Sequence, residues 1–248
     1  MSGTLEPARV VPLLRGRFGY PYFWEPECAS TQLVLHDPAL LEGAVAATEH
    51  QTAGRGRLGR TWDEPAGSSV LLSVLLRPLP GRAIAELSLV AGLAVARAIE
   101  GETGATALLK WPNDVLLGSF KVAGVLAEAR DGVIVGIGVN VAQAAGELPV
   151  RETLPAAGSL RTATGVEHDR AALLASILWE LERAYDAWLA GGLAPLLDDL
   201  TERDAVRGRR VRIDGIESVG AGIDTGGRLV LTDGRRVTSG ELELLDQP

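Results

Sequence analysis

Apolar and polar positions along this chain follow several rhythms, and each rhythm predicts an element. SSVLLSVLLRPL (68–79) is a nearly unbroken run of Val and Leu and reads as a buried strand. AELSLVAGLAVARAIEG (85–101) places apolar residues around most of a helical circumference, which predicts a buried helix stopping near Gly101. DRAALLASILWELERAYDAWLAGG (169–192) is strongly amphipathic at helical spacing, with Asp169 as N-cap and Gly191 as its stop. LAPLLDDLTERD (193–204) follows as a second, shorter helix. Between the first two helices, ALLKW, KVAGVLAEA and GVIVGIGVNV read as three strands joined by short turns. The second of these alternates and the third is a continuous apolar run. AVAATEH (44–50) reads as a short strand entering a loop, and residues 1–29 show no clear period.

After about residue 204 the rhythm changes. RRVRIDG, VGAGIDTGG, RLVLTDG and RRVTSGELELL are short β runs punctuated by Asp-Gly, Gly-Gly and Ser-Gly, the spacing of a small antiparallel barrel. The expected organisation is therefore a mixed α/β (α+β) domain over residues 1–202 and a small β domain over 203–248.

Composition narrows the partners. The 248 residues are 46% hydrophobic and carry a net charge of −8. That is enough apolar material for a large core, but a poor basis for general nucleic-acid binding, which needs a basic face. The single cysteine, Cys28, excludes an intramolecular disulfide. The first residues lack the charged start and apolar run of a signal peptide. The longest apolar run, Leu87 to Ala96, is shorter than the ~20 residues of a membrane span. A cytoplasmic protein away from DNA and membrane is expected. Of 24 basic residues only Lys110 and Lys121 are lysines, and both lie in one motif. In a chain so biased toward arginine, a retained lysine points to a place that needs a compact ammonium.

Two segments carry chemistry. EHQTAGRGRLGRTW (49–62) formally contains G-x-G-x-x-G at Gly54, Gly56 and Gly59, but a polar stretch precedes it and RTWDEPAG follows, so the strand–loop–helix context of a dinucleotide fingerprint is missing. What remains is a flexible loop with Arg55, Arg57 and Arg60. Guanidinium forks suit phosphate oxygens, and Trp62 offers a flat face for a base or a ligand. A solvated basic loop, or an Arg-Gly nucleic-acid contact, is the plainer reading of that segment alone. KWPNDVLLGSFKVAGVLAE (110–128) sets the two lysines, Asn113 and Asp114 around a tight Trp-Pro-Asn-Asp turn. That set suits an anionic substrate, a metal ion or an amine nucleophile.

Together, GRGRxGRxW, KWPND, KxAGxLxE, VIVGIGVN (133–140), Ser30-Thr31 and the terminal β domain resemble the biotin protein ligase family in order and spacing over nearly the whole chain. The resemblance implies a mixed-sheet catalytic domain of the biotin/lipoate ligase type with a C-terminal SH3-like β-barrel. It implies that biotin and ATP form biotinyl-5′-adenylate and pyrophosphate, with magnesium bridging the phosphates. The ε-amine of a lysine then takes the biotin, in the biotin carboxyl carrier domain of an acyl-CoA carboxylase. Ser30, Thr31 and Gln51 are then expected to hydrogen-bond the ureido ring, with Gln32 beside them where the family usually has asparagine. Gly54, Arg55, Gly56 and Arg57 form the loop over the ligand. Lys121 meets the biotin carboxylate and later the adenylate phosphate, and Gly124 lets the backbone approach the ligand. Trp62 and Asn140 meet the adenine, while Arg60, Lys110 and Asn113 lie near the ATP phosphates. Arg57 and Lys121 grip the charge developing on the α-phosphate, and Asp114 orients or deprotonates the attacking lysine. The resemblance names no metal ligand.

Some family members carry an N-terminal winged-helix domain; Ser30 leaves no room for one, so a ligase-only type is expected, a monomer or weak homodimer. Two rivals stand beside this reading: a lipoate or octanoate ligase of the same fold, and a non-enzymatic nucleic-acid module.

Overall fold

A computed structural model of the protein describes residues 4–78, 81, 83–150 and 155–246. Eight strands form one mixed sheet: β1 (Tyr22–Glu25), β2 (Val45–Thr48), β3 (Ser69–Leu76), β4 (Ala107–Lys110), β5 (Asp114–Leu117), β6 (Phe120–Arg130), β7 (Gly132–Asn140) and β8 (Ala156–Ala157). The order is β1-β2-β3-β7-β6-β5-β4, with β8 added alongside β6. The β1–β2 and β6–β8 pairs are parallel and the rest antiparallel. The helices are α1 (Pro7–Val10), α2 (Thr31–Val34), α3 (Leu87–Thr103), α4 (Leu160–Thr164), α5 (Arg170–Gly191) and α6 (Leu197–Glu202). Among the described residues, no helix is long and apolar enough to cross a membrane.

The two long helices, α3 and α5, bury one face of this sheet. Val70, Leu72, Val74 and Leu76 of β3 and Val133, Val135, Ile137 and Val139 of β7 join Leu93, Ile99, Leu174, Leu181 and Trp188 in a single core. The alternate residues of the same strands, Ser69, Ser73, Gly136, Gly138 and Asn140, belong to the opposite face, because successive side chains of a strand point to opposite sides. From Val135 onward, the expected continuous apolar run in β7 is thus an alternation of Val or Ile with the small Gly136, Gly138 and Asn140 on its far face, where Ile134 packs in a second small cluster. Those small residues leave space that the site occupies.

Several boundaries differ from expectation. α3 runs past Gly101 and stops at Gly104, which takes the left-handed conformation (φ 70°) and returns its N–H to Glu100. α5 includes Gly191 and ends at Gly192, while Asp169 caps it as expected, accepting from the Ala171 and Ala172 N–H groups. DVLL, read as part of a turn, is the strand β5, and the unpatterned N-terminus supplies the edge strand β1. The 68–79 strand is realised as 69–76; its last residue, Leu79, lies outside the described residues. The GRGRLGR segment holds one 3-10 turn, Arg57–Gly59, and no long helix, in keeping with the rejected dinucleotide fingerprint.

The C-terminal residues form a separate antiparallel sheet: β9 (Arg210–Ile213), β10 (Ile216–Ile223), β11 (Leu229–Leu231), β12 (Arg236–Val237) and β13 (Leu242–Leu244), ordered β12-β11-β10-β9-β13. It is the expected small β unit. It docks on the β4–β5 hairpin, where the fully buried Trp111 donates its Nε1–H to Gly227 O (2.9 Å) and Lys110 Nζ donates to Leu242 O (2.7 Å). Residues 203–205 pair with the outer edge of β4, through Leu109 N to Arg203 O (2.7 Å) and Ala205 N to Leu109 O (2.9 Å).

Candidate active site

On the face of the sheet opposite α3 and α5, strand register fixes an axis. Gly136 of β7 lies opposite Leu126 of β6 and Ser73 of β3; two residues on, Gly138 lies opposite Gly124; Asn140 lies opposite Ser69. At about 3.3 Å per residue, these steps mark three stations along one line.

The first station is a buried, neutral, polar end. Ser30, Thr31 and Gln32 are each 3% exposed. Thr31 shares a 2.7 Å hydrogen bond with Ser73 Oγ and donates its N–H to Gln51 Oε1 (2.9 Å). Gln32 donates to Leu126 O (3.0 Å) and accepts from Arg55 Nη2 (3.0 Å), and Arg55 also reaches Glu128 (2.8 Å). The longer amide of Gln32 therefore ties the arginine loop to the sheet. A Cβ on Gly136 would lie 2.9 Å from Gln32 Nε2, so this glycine is what admits the longer side chain.

The second station is the seat of Trp62. Its ring lies over the facing pair Gly124 and Gly138, where added Cβ atoms would approach to 3.0 and 2.6 Å. The resemblance gives Gly124 the task of letting the backbone approach a ligand; the space above it is filled by this indole. Gly138→Ala is expected to displace the ring and lower stability by about 1–3 kcal/mol, as overpacking does. In a Trp62→Ala background the same change is expected to have an effect below ~0.5 kcal/mol, because the clash is gone. Denaturant unfolding of the four proteins of this cycle checks it, and equal effects in both backgrounds would refute the contact.

Beside this station the cations gather. Lys121 Nζ lies 2.6 Å from Asp114 Oδ1, and Lys110 Nζ lies 3.8 Å from Asp114 Oδ2. Arg57 donates to Asn113 Oδ1 (3.2 Å), and Asn113 is pinned to β6 by donating to Val125 O (2.9 Å). Burial lowers the pKa of the Arg57 guanidinium, Asp114 opposes that effect, and Arg60 reinforces it. Arg60 pairs with Glu241 of the small β unit. One cavity is lined by Ser30, Thr31, Gln32, Gln51, Arg55, Gly56, Arg57, Arg60, Trp62, Lys110, Asn113, Asp114, Lys121 and Gly124, so it contains every expected site residue except Gly54 and Asn140. Five cationic side chains line it against two carboxylates, Asp114 and Glu241, in a chain of net charge −8. Gly54 works from behind: its carbonyl accepts the Trp62 N–H (3.0 Å), and a Cβ there would strike Trp62 O.

The third station is a second cavity lined by Asn140, Gln143, Asp63, Glu64, Glu147 and Val150, with Thr61, Trp62 and Lys121 lining both cavities. Sequence reasoning missed Glu64, Gln143, Gly136, Gly138 and the small unit's Gly240–Leu242. Glu64 is 5% exposed; burial pushes its carboxyl up to about 7, against the Gln51 N–H it accepts and with help from the charge of Asp63. His50 Nδ1 lies 3.8 Å from it. The ordinary value is 4.5, so between 4.5 and about 7 the folded state holds the extra proton. Stability from this group is complete below that window and lost as pH rises through it, by roughly 3 kcal/mol at most. Glu64→Gln is expected to gain on the wild type by about that amount between pH 5 and pH 8. Parallel unfolding energies at the two pH values would remove the carboxyl from this role.

The biotin/lipoate A/B protein ligase family model matches residues 30–142. The biotin–[acetyl-CoA-carboxylase] ligase of Mycobacterium tuberculosis is 40% identical, over 79% of this chain and 76% of that protein. The chain belongs to the biotin protein ligase family. It is also 35% identical to the bifunctional ligase/repressor BirA of Bacillus spizizenii over 72% of its length, spanning 58% of that relative. Among solved structures, a biotin protein ligase from Aquifex aeolicus in complex with biotin and ATP matches with a TM-score of 0.80 and 31% identity, covering 92% of this chain and 99% of that one. For this family member, the matched 30–142 segment carries all three stations, apart from the residues that the small β unit and the 143–150 segment contribute.

Proposed function

We propose that this chain condenses biotin with ATP to biotinyl-5′-adenylate, releasing pyrophosphate, and then transfers biotin to a lysine of a carrier protein with release of AMP. One observation carries the reading: a buried, neutral, hydrogen-bonding end and a cationic end lie a few residues apart along one pair of strands, with a second cavity beyond. A ligand with a polar neutral head and an anionic tail fits that polarity. The biotin ureido ring would meet Ser30, Thr31 and Gln51, and its carboxylate would reach Lys121 and Arg57. The nucleotide would lie beyond them, with its phosphates among Arg57, Arg60, Lys110 and Asn113 and its base near Trp62 and Asn140. A lipoyl or octanoyl chain has no head group for Thr31 and Gln51, and polar groups buried against it would lose hydrogen bonding worth about 1–3 kcal/mol.

Magnesium fits as a companion of the nucleotide. Among the described residues, no group of three or more His, Cys, Asp or Glu side chains could hold an ion unaided. An ion carried by phosphates needs at most one or two carboxylates from the protein. When bound with the nucleotide it would neutralise phosphate charge, while Lys110, Lys121 and Arg57 orient the reacting groups. The carrier would be the biotin domain of an acyl-CoA carboxylase, as the names of the relatives suggest. We take residues 1–202 as the catalytic unit and 203–248 as the small β unit that closes one side of the cavity.

Biotin-dependent release of pyrophosphate from ATP and magnesium tests the proposal, with octanoate and lipoate run in parallel. Release with biotin is expected. Release with the fatty acids instead would move the substrate, and release with none would overturn the reading.

A further inference from the structure

The three arginines of the 54–60 loop are held by three different parts of the molecule. Arg57 donates to Asn113 Oδ1 in the β4–β5 turn (3.2 Å), and Arg60 pairs with Glu241 of the small β unit. Arg55 Nη2 donates to both Gln32 Oε1 (3.0 Å) and Glu128 Oε2 (2.8 Å). In the proposed function Arg57 and Arg60 turn to the nucleotide phosphates, so both of their links are exchanged during the reaction. Arg55 has no phosphate to meet and can stay where it is. Its two links differ in kind. The Arg55 and Glu128 side chains are 43% and 35% exposed, and an ion pair so placed is weakened by water and salt. Gln32 is 3% exposed, so its bond to the guanidinium is the sheltered one.

Both ends of the Gln32 amide are determined by their partners. Leu126 O only accepts, so the nitrogen faces it (3.0 Å); a guanidinium only donates, so the oxygen faces Arg55. The side chain runs along Gly136, where an added Cβ would come within 2.9 Å of Nε2, 3.3 Å of Cδ and 3.4 Å of Cγ, and Gly136 stands opposite Leu126 in register. An asparagine at the same backbone position is shorter by one carbon–carbon bond, roughly 1.5 Å, which takes both partners out of hydrogen-bonding distance. We infer that Gln32 is a positioning residue that works on the loop and not on the ligand head: through Arg55 it anchors the loop to β6 while Arg57 and Arg60 change partners, and so retains the adenylate until the carrier lysine arrives. The inference rests on the two-step activity proposed above. An adenylate that leaves the site reacts with water to give biotin and AMP, and each escape frees the enzyme for another round. Retention is therefore read from the rate at which ATP is used without a carrier.

The test follows pyrophosphate release from biotin, ATP and magnesium in the absence of any carrier. The wild type is expected to give a burst of about one pyrophosphate per enzyme and then a slow phase set by escape of the adenylate. Gln32→Met keeps the length and apolar stem without the amide, and Gln32→Asn keeps the amide without the reach. Both are expected to raise the slow phase about tenfold, the scale of one hydrogen bond to a charged group. The burst rate is expected to stay within about threefold, because the groups that meet the reacting atoms are unchanged. Arg55→Met is expected to match them, and adding Gln32→Met to it is expected to change escape by less than about twofold, since the two side chains form one link. Glu128→Gln is expected to change escape by less than about twofold. A merely structural role would slow the burst as escape rises and would add in full to Arg55→Met. A slow phase within about twofold of wild type in Gln32→Met would overturn the inference, as would full additivity with Arg55→Met or an equal effect in Glu128→Gln. A wild type that turns over with no burst would overturn it too, because it retains nothing. Each of these results leaves the proposed activity standing. A wild type that releases no pyrophosphate at all sinks that activity and this inference with it.

Discussion

Lys121→Ala is expected to lower biotin-dependent pyrophosphate release by about 10²–10³, the usual effect of removing one group aimed at charge that develops in the transition state. Among the described residues, Lys121 is the cation that lines both cavities, so it stands where an anionic tail from one would meet a phosphate from the other. Both partners of that encounter are negative, and they repel each other until a cation lies between them. The loss is expected mainly in kcat, because the ammonium would matter most as charge moves onto the α-phosphate, and less in KM for biotin, whose head would be held at the other end under the proposed function. Lys121→Arg separates charge from shape. It keeps the charge but puts a broad planar fork beside the Asp114 carboxylate, 2.6 Å from the present ammonium, and beneath an indole packed on Gly124. It is expected to recover less than about tenfold of the loss. Steady-state pyrophosphate release by the three proteins decides the matter. A change under threefold in Lys121→Ala would take this residue out of the chemistry.

That lysine is legible in the amino-acid sequence, because only two survive among 24 basic residues. Much of the fold is legible there too. Long apolar periods specify α3, α5 and β3 directly, and Asp-Gly and Gly-Gly punctuation marks the terminal sheet. What stays hidden depends on contacts remote in sequence. Gly101 and Gly104 are equally good helix stops on paper. The helix continues through the first, and the left-handed turn that ends it falls at Gly104, whose N–H returns to Glu100 O. The glycines of β7 read as gaps in an apolar run until register sets Gly138 opposite Gly124 and shows that the gap has the shape of an indole. Glu241 meets Arg60 across 181 residues, and no local pattern announces that. Gln143 is one glutamine in an unremarkable segment; its burial shows only once Ser69, 74 residues away, accepts from its amide.

Asp114→Asn is expected to separate the two half-reactions. Adenylate formation is expected to stay within about threefold of wild type, whereas transfer to the carrier lysine slows by about 10²–10⁴, the usual contribution of a positioned proton acceptor. In the structure this carboxylate is shared by two ammonium groups, Lys121 at 2.6 Å and Lys110 at 3.8 Å. While Lys121 grips it, the carboxylate has little left to offer a third ammonium. Once Lys121 turns to the adenylate phosphate, its place beside Asp114 opens to a cation of the same size, the acceptor lysine, which arrives protonated at neutral pH with an ordinary pKa near ~10.4. The exchange of one ammonium for another would order the steps, since the acceptor finds its partner only after the anhydride has formed. Two controls make the claim specific. Hydroxylamine attacks as a neutral nucleophile, so its trapping of the adenylate is expected to be unchanged in Asp114→Asn. The variant's deficit toward the carrier is also expected to shrink as pH rises toward ~10, where solvent removes the proton instead. Single-turnover transfer from preformed adenylate reads all of this. If Asp114→Asn abolished pyrophosphate release, or slowed hydroxylamine as much as lysine, the carboxylate would belong to the assembly of the site and the exchange of partners would have no part in transfer.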